Sequence, residues 1–115
     1  MLAFFLSLLL TSDVQDQWLE FRGGQADAKA PTSAIPLDWS DEENVVWKTP
    51  VEGLGWSSPV LLQDVIYLTT AVKQEEQLSL QVVAIDAKTG KMLWNREVRR
   101  VDANQPIHSK NSHAS

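Results

Sequence analysis

Ala84-Ile85-Asp86-Ala87-Lys88-Thr89-Gly90-Lys91-Met92-Leu93-Trp94 reads as the end of one strand, a tight turn and the start of another. Residues 78–85 are dense in Leu, Val and Ile, the composition of a strand buried on both faces, and the run stops at a cluster of turn formers. Asp86 opens the turn because its side chain can accept a hydrogen bond from the backbone two residues on. Gly90 closes it because glycine takes a positive φ without strain. Trp94 then leads the returning strand. Its ring needs cover, and a lone hairpin is marginal in water, so the unit implies neighbours.

Working outward, residues 65–70 (Val-Ile-Tyr-Leu-Thr-Thr) have the β-branched and aromatic content of a second strand. Residues 59–62 precede it across a Gln63-Asp64 turn. Residues 73–77 read as a charged hairpin loop, and residues 91–98 as the fourth strand of an antiparallel sheet. Upstream, Gly53-Leu54-Gly55-Trp56-Ser57-Ser58-Pro59 is a leading loop whose glycines allow close backbone approach. Residues 45–48 (Val-Val-Trp-Lys), ended by Pro50, predict a short strand with no partner close in sequence.

The pattern Ala84-x-Asp86-x-x-Thr89-Gly90-x-x-x-Trp94 resembles the repeat signature of the PQQ-like (pyrroloquinoline quinone repeat) β-propellers. That family includes quinoprotein alcohol dehydrogenases and the outer-membrane assembly lipoprotein BamB. Trp18-x-x-Phe21-Arg22-Gly23 resembles the opening of mature secreted propellers of the same family. The resemblance implies an all-β, β-propeller fragment: one four-stranded antiparallel blade, an amino-terminal closing strand at 45–48 and the start of a second blade at 107–115. It also implies that Trp47 and Trp94 dock between blades, with Asp86, Thr89 and Gly90 forming the turn. The two tryptophans are 47 residues apart, close to the roughly 40 to 50 residues of propeller repeats. Rings carry roughly 4 to 8 blades of four strands, so 115 residues read as an amino-terminal fragment.

Residues 1–10 are apolar but for Ser7, too short for a bilayer of about 30 Å and of the size of a signal-peptide core. The expected division is a signal peptide at 1–16, an irregular arm at 17–44 and the repeat region at 45–115. This predicts a periplasmic or secreted protein with no membrane span. Cysteine is absent, which excludes disulfides, cysteine metal sites and the lipid-accepting residue of the BamB pattern from these residues. Fifteen acidic against ten basic residues, a formal charge of −5, argue against a nucleic-acid surface.

Candidate chemistry is sparse. Lys88-Thr89-Gly90 matches a β-lactamase triplet, but the chain has no Ser-x-x-Lys or Ser-Asp-Asn. Gly90-Lys91 is no phosphate loop, because Ile85 and Met92 stand where that motif needs Gly and Ser or Thr. Asp86 has no partner carboxylate to make it a general base, so turn capping accounts for it and no catalytic residue is assigned. His108 and His113, five apart in a Ser- and Asn-rich loop, lack a third metal ligand; with Trp56 they are candidates for a pore-lining or ligand-facing role. The resulting expectation is a non-catalytic binding or scaffolding module that engages a protein or polymer through a propeller face, with no cofactor evident. The alternatives are a PQQ-dependent quinoprotein dehydrogenase, which the resemblance links to PQQ and calcium, and a BamB-like assembly factor.

Overall fold

The computed structural model describes residues 17–24, 26–29 and 35–114; the expected signal segment at 1–16 lies outside them. The described residues are all-β and contain no helix, hence no helix long and apolar enough to cross a membrane. Four strands form one antiparallel sheet in sequence order: β1 (Val60–Leu62), β2 (Val65–Gln74), β3 (Gln77–Asp86) and β4 (Met92–Asp102).

Short turns fix the register. Gln63 and Asp64 both take left-handed φ values, 50° and 62°, so β1 and β2 are joined by two residues whose twist suits a hairpin. The β2–β3 loop is shorter than the 73–77 expected. Lys73 pairs with Leu78 and Gln74 with Gln77, leaving only Glu75 and Glu76 at the tip. Strong charge there marks solvent exposure, which a strand tip tolerates. Strand β4 likewise runs past residue 98 to Asp102. Its register against β3 shifts at Leu80/Gln81 and at Ala84/Ile85, so Leu93 and Val98 fall outside the Cα pairing and the strand bulges twice.

Alternation along the strands gives the sheet two faces. On the first lie Tyr67, Thr69, Ala71 and Lys73 of β2, with Leu78, Leu80, Val82 and Ala84 of β3 beside them. On the second lie Ile66, Leu68, Thr70 and Val72, paired with Ile85, Val83, Gln81 and Ser79. The core sits in the two central strands: Thr70, Ala71, Val72, Leu78, Ser79, Val83, Ala84 and Ile85 are all buried. The buried Ser79 is satisfied by a polar chain. Asn95 donates to Gln81, Gln81 to Ser79, and Ser79 to the Glu97 carboxylate, which Arg100 also pairs.

The closing strand expected at 45–48 does not form; those residues are irregular. Their backbone groups pair with no strand, and the segment is held by side chains instead. Strand-like pairing on the β1 edge comes from Trp18, whose N–H and C=O both bond Leu61. Described residues 107–114, read from the sequence as the entry to a second blade, are turns and irregular chain, and the Thr69 hydroxyl donates to Ala114 O at 2.6 Å. Alongside β2, Leu54 makes a two-bond bridge to Ala71, and the Thr69 N–H donates to Ser57 Oγ. A Cβ on Gly55 would collide with the Thr69 carbonyl, which is the physical reason for glycine at this close approach.

Candidate functional site

The best-defined constellation is the turn between β3 and β4. Asp86 Oδ1 accepts from the N–H groups of Lys88 and Thr89 and from the Thr89 hydroxyl, at 3.0, 2.7 and 2.8 Å. The backbone closes the loop with Asp86 N–H to Lys91 O and Gly90 N–H to Asp86 O. Gly90 sits at φ 72°, the left-handed region that favours glycine. Three donors on one oxygen favour the ionised carboxylate. The Thr89 hydroxyl first, then the Thr89 and Lys88 backbone N–H groups, hold the Asp86 carboxyl below its ordinary value. A carboxylate committed to three internal donors is a poor general base.

Onto this turn folds Trp47, 40 residues away from its hydrogen-bond partner in sequence. Its indole N–H donates to Ala87 O at 2.9 Å, and its ring lies against Gly90, where an added Cβ would stand 2.5 Å from a ring carbon. The Thr49 hydroxyl donates to Gly90 O, so two side chains of one segment grip consecutive parts of the turn. Lys88 pairs with Asp64 of the neighbouring β1–β2 turn, and the Ala87 N–H bonds Asp64 O, joining the two turns at one end of the sheet.

Trp94 is not part of that grip. It pairs with Ala84, and its ring stands 5.9 Å from the Tyr67 ring on the first face, with the Arg96 guanidinium 5.5 Å from the Trp94 centroid. Trp94 remains 38% exposed. The structure thus assembles Trp47, Asp86, Thr89 and Gly90 into one unit and leaves Trp94 in another. Trp56 is 61% exposed on the leading loop. His108 is exposed, and its Nδ1 accepts from the Lys110 N–H, so that nitrogen is occupied in a local turn. His113 lies apart, lining a cavity with Leu54 and Leu78. No three His, Cys, Asp or Glu side chains converge as metal ligands among the described residues.

Sequence reasoning did not single out Thr49, Tyr67 or Arg96. Thr49 carries no pattern of its own. Tyr67 was legible only through register, since Tyr67 opposes Ala84 and Ala84 opposes Trp94, a juxtaposition that requires knowing how three strands align. Arg96 follows Trp94 by two residues on the same face, a spacing that marks a stacking candidate.

Neither a family model, nor a curated protein, nor a solved structure matches this chain.

Proposed function

We propose that the chain carries a repeat unit of a PQQ-like β-propeller, exported to the periplasm or beyond, and that it serves as a non-catalytic binding or scaffolding module for a protein or polymer partner. The observation that carries this reading is the seat of Trp47 on the Ala87–Gly90 turn. Trp94 follows it by 47 residues in the sequence. A tryptophan that grips the turn ahead of it, followed one repeat later by another with its ring half uncovered, is what stacked repeats require, because each unit leaves a face for its neighbour. The open ring of Trp94, backed by Tyr67, is the corresponding face for a following blade.

A binding role is favoured over chemistry by the site itself. The one carboxylate at the centre of the turn is consumed by capping, and both turn-gripping side chains bond main-chain carbonyls. Closed sheets present rigid loops on a broad face, which suits a macromolecular partner. No cofactor enters the proposal.

The test has two parts. Translating the coding frame past Ser115 should give further copies of Ala-x-Asp-x-x-Thr-Gly-x-x-x-Trp near the same spacing; their absence would remove the propeller. The complete protein, supplied with PQQ and calcium, should not reduce an artificial electron acceptor with alcohols or sugars. Turnover there would replace the scaffold with a quinoprotein dehydrogenase.

A further inference from the structure

We propose that the outer edge of β4 binds an extended acidic peptide, which joins the sheet as an added antiparallel strand. Strand β4 is the longest of the four, at 11 residues. Only its β3 side is paired: among the described residues no strand or bridge meets its other edge. Every residue of β4 except Val101 is exposed. An open edge offers N–H and C=O groups that a further strand can complete. The opposite side of the sheet is occupied, since Trp18 bonds Leu61 of β1 and Leu54 bonds Ala71 of β2. The proposal gives the binding role above a partner class but rests on the sheet alone. Repeats stacked on the faces of the sheet would leave this edge clear.

Charge selects the occupant. The chain carries −5 overall, yet Arg96, Arg99 and Arg100 cluster on β4. Arg100 is committed to Glu97. Arg96 and Arg99 have no carboxylate partner among the described residues, and they stand opposite Val82 and Leu80, neighbours on one face of β3. Arg96 is steadied over the Trp94 ring, 5.5 Å from its centroid, a stacking that leaves the in-plane N–H groups of a guanidinium for a carboxylate. Carboxylates at alternate positions of an added strand fall on one face and meet both arginines. Leu93 and Val98, which the two bulges leave out of the pairing, are exposed and add apolar contact. A second β4 fits less well, because it brings a strand equally rich in arginine and because two bulged, preformed edges do not run flat against each other. A free peptide can follow the bulges.

The test uses the full chain and the fluorescein-labelled peptide Glu-Val-Glu-Thr-Glu-Val-Glu, with binding followed by fluorescence anisotropy and by hydrogen exchange. The peptide should bind one to one with a Kd below about 1 mM and slow exchange at β4 amides. Its comparator is the same peptide N-methylated at alternate residues, which keeps the charge, loses the backbone donors and should bind at least about tenfold more weakly. Replacing both Arg96→Gln and Arg99→Gln should weaken the unmodified peptide about fivefold. Both residues are exposed and unpaired by carboxylates, so the sheet is retained, as far-UV circular dichroism would verify. Absence of saturable binding overturns the proposal. So does equal binding of the N-methylated peptide, which would reduce the attraction to charge alone, or an unchanged affinity in the double variant. Dimerisation through β4, seen by ultracentrifugation as a species that the peptide does not dissociate, would give the edge to a second copy and overturn it too. The repeat reading stands or falls separately, on the coding frame past Ser115.

Discussion

Replacing Trp47 should weaken the sheet through a contact that the strands themselves do not make. A Trp side chain buries roughly 150 to 250 Å² when fully covered. Trp47 is partly covered. If about 120 Å² is removed from water, about 25 cal/mol per Å² gives about 3 kcal/mol, reduced to about 2 kcal/mol for the compactness of the unfolded chain. The indole bond to Ala87 O adds about 1 kcal/mol. Trp47→Ala should therefore cost about 3 kcal/mol, and Trp47→Phe, which keeps most of the ring and removes the N–H, about 1 kcal/mol. Gly90→Ala tests the same contact from the other side. It adds left-handed strain of about 1 to 2 kcal/mol and pushes a methyl into the ring. In Trp47→Ala the collision is gone and only the backbone strain remains, so the double variant should be more stable than the sum of the singles by at least about 1 kcal/mol. Urea unfolding followed by circular dichroism measures all four proteins without relying on tryptophan fluorescence. Strict additivity, or a cost below about 0.5 kcal/mol for Trp47→Ala, would refute the docking of this ring on the turn.

Three further outcomes follow from the same geometry. The Asp86 pKa is depressed in the folded state, so its contribution to stability is present above the unfolded value near 4 and is lost as pH falls through the folded value. The urea midpoint should fall below about pH 4, and Asp86→Asn should flatten that fall; matching pH profiles for the two proteins would exclude the turn as its source. Trp94→Ala should cost about 1 to 2 kcal/mol in this chain, less than for a fully covered ring, because a third or more of the side chain already meets solvent. A loss above about 4 kcal/mol would mean that the ring has cover other than Tyr67 and Arg96. Gly55→Ala should separate the leading loop from β2, seen as faster hydrogen exchange at the Leu54 and Ala71 amides; unchanged protection would contradict the close approach.

The antiparallel sheet was legible in the sequence because its cues are local. Apolar runs of strand length alternate with residues suited to reversal, and the Asp86 to Gly90 turn needs only chemistry within five residues. The ends of the strands were not legible. Lys73, Gln74 and the Arg-rich end of β4 carry charge that suggests a loop, and they became strand because a partner strand was present to complete their hydrogen bonds. Residues 45–48 erred in the opposite direction. Their composition suits a strand, yet no free edge reaches them, and Trp47 found a carbonyl and a glycine in place of a ladder. The edge was taken by Trp18, whose two backbone bonds to Leu61 no composition could announce.

By itself, then, the sequence determined the class, the order of the four sheet strands and the chemistry of the turn, since each rests on residues that are neighbours along the chain. Tertiary structure alone decided which tryptophan grips the turn and which stands open, and that His113 lines a cavity with Lys73 while His108 faces solvent. Those outcomes join residues 40 or more positions apart. Their pairing depends on register, bulges and the path of irregular segments, and these follow from how the whole chain buries its apolar surface rather than from any local preference.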